Sequence, residues 1–141
     1  MPGRQNPSAM NAIHSEIQAR GAMPPAGLAG PVDHEVLNRL LCDDQSAVRE
    51  VLGQYLTSCP DDATGVVAAA AAADWQAALR FAHRLKGACR MVGANLLADV
   101  CEHVERAVKG QDPRQVAGAV EELRRESDRV QDYLRAWLQA A

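Results

Sequence analysis

The chain has 141 residues, room for one domain of ordinary size and a tail. Its formal charge of −3, with no long basic run, excludes the electrostatic footprint needed to neutralise many nucleic-acid phosphates. No stretch reaches the ~20 apolar residues of a membrane span, and sparse β-branched and aromatic residues with abundant alanine argue against a sheet protein and for an all-α class.

Residues 1–31 hold five of the seven prolines and four of the ten glycines, with Pro24-Pro25 and Gly30-Pro31 interrupting any helix that starts there. They read as a linker or tail, with Ile13 and Ile17 the only hint of a short helix between Met10 and Arg20. The stretch from Met1 to Arg20 lacks the charged-then-apolar order of a secretion signal, so a cytoplasmic chain without direct membrane contact is expected. A piece of a membrane receptor would read the same way.

Helical periodicity begins at Val32. Val36, Leu37, Leu40 and Leu41 share a side behind a capping Asp33, which predicts a short helix over 33–42. A second helix starts near Asp44 and buries Val48, Val51, Leu52, Tyr55 and Leu56 before it meets Pro60. A proline inside a helix costs about 3 kcal/mol, and Ser58 and Asp61 have the spacing of a capping pair for a restart. The alanine run from Ala68 to Ala73 offers a smooth packing surface. Asp74 caps a third helix that runs to Val92 and stops at Gly93. The fourth, about Asn95 to Lys109, carries Leu97, Val100, Cys101, Val104 and Val108 inward and ends at Gly110. Asp112 and Pro113 open the fifth, with Val116, Val120, Leu123, Val130, Leu134 and Trp137 as its stripe. Short connections favour antiparallel neighbours, so the expected architecture is an up-down four-helix bundle over 32–141 with an additional short N-terminal helix. Cys42, Cys59, Cys89 and Cys101 form no CxxC pair and read as reduced, mostly buried residues.

The third helix carries the chemistry. At about 100° per residue, Lys86, Gly87 and Arg90 fall within about 60° of His83, while Ala78, Phe81, Ala82, Leu85, Ala88, Cys89 and Val92 gather on the far side. His83 therefore faces away from the core. Gly87 costs about 1 kcal/mol relative to alanine in mid-helix, which makes sense where a side chain would obstruct a partner. Lys86 is a compact mobile cation suited to phosphate oxygens. No acid occurs between Trp75 and Ala98, although acids outnumber bases 18 to 15 overall; Arg80, Arg84, Lys86 and Arg90 thus imply an acidic partner. A solvated helix face explains any one of these cations but not the missing acids. Leu79 and Met91 flank the ring as an apolar docking rim.

The run Ala82-His83-Arg84-Leu85-Lys86-Gly87-Ala88-Cys89, followed by Val92-Gly93-Ala94, resembles the signature of the histidine-containing phosphotransfer (HPt) family. The likeness extends over about residues 32–140, with the specific motif confined to 82–94. It implies that His83 accepts a phosphoryl group, Lys86 contacts the phosphate, and Gly87 lets the partner approach. Arg84, Arg90, Arg80, Leu79 and Met91 would complete the docking face. Cys89 stands where serine or alanine is commoner, and Pro60 is unusual within the family's second helix. The arrangement also resembles the C-terminal HPt modules of hybrid sensor kinases. The implied function is a phosphorelay intermediate that takes a phosphoryl group from one receiver-domain aspartate and passes it to the aspartate of a response regulator. No cofactor of its own is implied, since Mg2+ would sit on the receiver, and a monomer is expected if the domain is isolated. It would lie in the cytoplasm, alone or as the C-terminal part of a membrane sensor kinase.

Three rival readings compete for the same residues. A self-sufficient kinase lacks a glycine-rich phosphate loop, and Arg84 follows His83 where dimerising kinases carry an acid, so a carrier rather than an enzyme is expected. A receiver-docking module without transfer stays open as the alternative. A metal-binding bundle fails because Cys101 and His103 diverge by about 200° on the wheel. His103, Glu102 and Glu105 then read as a solvated face, and His14 and His34 have no companion motif.

Overall fold

A computed structural model describes residues 30–140. The expected linker therefore lies almost entirely outside the described residues, as does the suggested helix between Met10 and Arg20. Its last residue, Pro31, is buried, so packing begins slightly earlier than the composition suggests.

The described residues form five helices in order: α1 His34–Leu40, α2 Gln45–Ala71, α3 Trp75–Val92, α4 Asn95–Gly110 and α5 Pro113–Gln139. Each of α2 to α5 packs on its neighbour in sequence and α2 closes the ring against α5, while α1 lies across α3 and α2. This is the up-down four-helix bundle with its extra N-terminal helix, and no strand occurs among the described residues.

Aspartates start four of the five helices. The carboxylates of Asp33, Asp44, Asp74 and Asp112 accept from the backbone N–H groups of Glu35, Ala47, Ala77 and Arg114 at 3.1, 3.1, 3.2 and 3.0 Å. Each such cap is worth about 0.5–2 kcal/mol. Pro113 sits at the start of α5, where its missing N–H loses nothing. Gly93 ends α3 in the left-handed region at φ +86°.

Pro60 does not restart α2, which runs unbroken through it. Ser58 does not cap; its hydroxyl donates to the Gln54 carbonyl at 3.0 Å, and that of Thr57 to the Gly53 carbonyl at 3.1 Å. Packing along the whole length of α2 outweighs the one hydrogen bond lost at the proline. The alanine run serves less than its length suggests: only Ala69 is buried, and the helix ends at Ala71.

The core joins Leu52, Tyr55 and Val66 of α2 to Leu85 and Cys89 of α3, Leu97, Cys101 and Val104 of α4, and Leu123, Val130 and Leu134 of α5. Three of the four cysteines are buried in it and Cys42 is exposed. The Tyr55 hydroxyl lies 3.6 Å from the Cys89 sulfur, and burial pushes the Cys59 thiol up to about 11, so it stays protonated.

α1 is held at its N-terminal end by two contacts. Asp33 N–H donates to the Gly93 carbonyl at 2.8 Å. At the other contact His34 stacks 5.0 Å from the Trp137 ring, and its Nε2 is 2.7 Å from the Tyr133 hydroxyl. Burial pushes that phenol up to about 12, so it remains protonated beside the imidazole. Desolvation lowers the His34 pKa, with Asp33 opposing. Protons then bind the unfolded chain more readily, so the stability from neutral His34 is fully present above about pH 6.5 and fades as pH falls through the lowered value. The melting temperature should therefore drop further between pH 7.5 and pH 5 in the wild type than in His34→Phe. Equal drops would contradict the assignment.

Candidate functional site

α3 turns one face outward because Ala78, Ala82, Leu85, Cys89 and Val92 are consumed by the core. His83 stands on the opposite face with 75 % of its side chain exposed. The histidine is thus outside the hydrophobic interior, as the wheel predicts.

Its immediate partner comes from α4. One oxygen of Glu105, Oε2, lies 3.2 Å from His83 Nδ1, and the other, Oε1, accepts from Lys86 Nζ at 2.6 Å. A carboxylate can only accept, so Nδ1 carries the proton in the neutral ring and Nε2 keeps its lone pair toward solvent. Lys86 is not a mobile surface cation: its side chain is only 13 % exposed and that of Glu105 12 %. The pair is largely desolvated, which makes it expensive to break. Glu105 therefore does not belong to a solvated face with Glu102 and His103. The available signal was its position four residues after buried Cys101, at the margin of the inward stripe of α4.

Beside the ring, a Cβ placed at Gly87 would meet nothing within 4 Å. This open position and Met91, 55 % exposed, lie on the α2 side of His83, whereas Lys86 leans toward α4. Leu79 is half-buried against the core and contributes little to an apolar rim. Arg80 is exposed. Arg90 stands 3.8 Å from Glu102 across α4, an exposed pair worth little. Arg84 reaches α2, where Asp62 Oδ1 accepts from its Nε at 3.0 Å and its Nη2 at 2.6 Å. Asp62 is a second residue that helix-wheel reasoning on α3 could not reveal. It sits at the spacing of the buried stripe Tyr55, Cys59 and Val66, where an acid calls for a partner.

His103 offers an internal comparison. Its Nδ1 lies 3.1 Å from Glu122, so a carboxylate on the next helix pins this ring too. Its surroundings differ. Asp99 and Glu102 stand nearby on its own helix, and the cation one turn on, Arg106, leans toward Glu102 at 3.8 Å. Among the described histidines, only His83 combines a pinned ring with a basic face.

Among the described residues no group of three or more side chains is placed to hold a metal ion, and no helix is long and apolar enough to cross a membrane.

Residues 50–139 match the Hpt domain family. The virulence sensor protein BvgS of Bordetella bronchiseptica is 27 % identical over 139 residues, covering 89 % of this chain, and BvgS of Bordetella pertussis aligns equally. The chain spans only 11 % of the length of these relatives. The crystal structure of histidine-containing phosphotransfer protein B (HptB) from Pseudomonas aeruginosa superposes with a TM-score of 0.71 at 25 % identity, over 80 % of this chain and 98 % of that one. The HPT domain of a hybrid histidine kinase from Shewanella has the same fold, with a TM-score of 0.69 at 20 % identity over 79 % of this chain and 96 % of that one. The family match and both superpositions agree on a four-helix bundle, and the chain belongs to the Hpt domain family, whose members carry phosphoryl groups and are not kinases.

Proposed function

We propose that this chain is a phosphorelay intermediate that carries its phosphoryl group on Nε2 of His83. The observation that carries this reading is the shared carboxylate of Glu105, which directs Nε2 outward and holds Lys86 beside the ring. The donor is an acyl phosphate on the aspartate of a receiver domain. Nε2 attacks phosphorus, the N–P bond forms as the bond from phosphorus to the carboxyl oxygen breaks, and the receiver regains its carboxylate. The proton stays on Nδ1, where Glu105 offsets the positive charge that the ring acquires. Lys86 neutralises phosphoryl oxygens, and the divalent cation such transfers use belongs on the receiver's carboxylates. A second receiver, that of a response regulator, takes the group by the reverse step.

Gly87 supports close approach because its surface is open, and Arg80, Arg84 and Arg90 give an acidic receiver a complementary field. Met91 adds an apolar contact on the α2 side, with Leu79 a minor one on the α4 side. A carrier of this kind needs no second copy, so a monomer is the proposed state, in the cytoplasm or attached to a sensor kinase there.

Phosphorylated receiver should label the chain with an acid-labile, base-stable phosphate. His83→Gln should abolish the label, while His103→Gln leaves it unchanged. Label persisting in His83→Gln would remove the site, and binding without any label would favour a docking module that does not transfer.

A further inference from the structure

Arg84 follows the acceptor histidine by one residue, and α2 builds a holder for it. Asp62, 7 % exposed, engages two of the five guanidinium donors through one oxygen. The guanidinium carbon also stands 5.3 Å from the Phe81 ring centroid. Phe81 in turn lies against Gly65, where a Cβ would be 2.7 Å from the ring. Yet 66 % of the Arg84 side chain stays exposed, with three N–H donors uncommitted to Asp62.

A surface arginine needs no such holder if it supplies charge alone. A long-range positive field would be stronger without Asp62, which cancels it. The benefit of the buried carboxylate is orientation: a guanidinium fixed on two sides forfeits less rotamer freedom when it meets a planar acceptor.

We propose that Asp62 is a positioning residue for partner recognition. With Phe81 it fixes the Arg84 guanidinium so that the remaining donors meet a carboxylate of the acidic protein that docks beside His83. This rests on the reading of His83 as the point of exchange with an acidic receiver.

The two effects of removing Asp62 have opposite signs, which makes the test decisive. The probe is the isolated receiver domain that, loaded from acetyl phosphate, transfers fastest to the wild-type chain. Asp62→Asn makes the surface more positive, so a role in charge alone expects tighter binding. Lost orientation instead expects binding weaker by roughly threefold to tenfold. In an Arg84→Ala background Asp62→Asn should cost nothing further, because the residue acts only through Arg84. Gly65→Ala, which pushes Phe81 aside, should weaken binding in the same direction. His83 labelling by phosphoramidate, a small donor that needs no docking face, should be unchanged in Asp62→Asn. Unchanged or tighter binding by Asp62→Asn, or a loss that persists without Arg84, overturns the proposal. Failure of the wild type to label at His83 from either donor would overturn the reading beneath it instead.

Discussion

Glu105→Gln is expected to slow phosphoryl uptake by His83 about tenfold to a hundredfold. The amide keeps a carbonyl that can accept from Nδ1, so the ring need not turn. What disappears is the negative charge facing the imidazolium that forms as Nε2 bonds to phosphorus. Hydrogen bonds to charged groups are worth about 1.5–3 kcal/mol, and each 1.4 kcal/mol is a factor of ten in rate. Lys86 loses its partner at the same time, and at 13 % exposure it has little water to replace it. It will swing outward, away from the position the phosphoryl group needs. The measurement is the rate of labelling by phosphoramidate, which separates the chemistry at the ring from docking. Equal rates for the variant and the wild type would show that the carboxylate is structural only. A variant that labels slowly but melts like the wild type would place its effect on the transfer.

How far the site could be read from the sequence depended on whether its parts share a helix. His83 and Gly87 lie on α3, and the periodicity of one helix is enough to turn them outward together. Glu105 comes from α4 and Asp62 from α2, 22 residues after and 21 before His83 respectively. Their approach depends on how the helices are registered against each other, which the stripe of a single helix does not encode. Both nevertheless stand on or at the edge of an apolar stripe, where an acid signals a buried partner. The caps were legible because an aspartate before a helix acts within three residues. The continuity of α2 was not: the local cost of Pro60 argued for a break, and packing against both α3 and α5 decided otherwise.

Gly93→Ala should be the most destabilising single methyl in the bundle, at about 2–4 kcal/mol. Two costs coincide there. Gly93 adopts φ +86°, a region that costs an L-residue about 1–2 kcal/mol. A Cβ at this position would also lie 2.2 Å from the carbonyl oxygen of Asp33. That overlap can be relieved only by moving the Val32–Asp33 segment, whose N–H donates to the Gly93 carbonyl. Val32 and Leu37 are both 2 % exposed and would lose their packing with it. For a domain of about this size each kcal/mol shifts the melting temperature by roughly 4–8 °C, so a drop on the order of 10–20 °C is expected. Gly118→Ala is the control: its added Cβ meets nothing within 4 Å on the exposed face of α5, and the gain in helix propensity should leave stability equal or slightly higher. A Gly93→Ala protein that melts within 2 °C of the wild type would show that the α3–α4 turn yields easily. The docking of α1 onto the end of the histidine helix would then be a loose contact, with no part in setting how α3 presents His83.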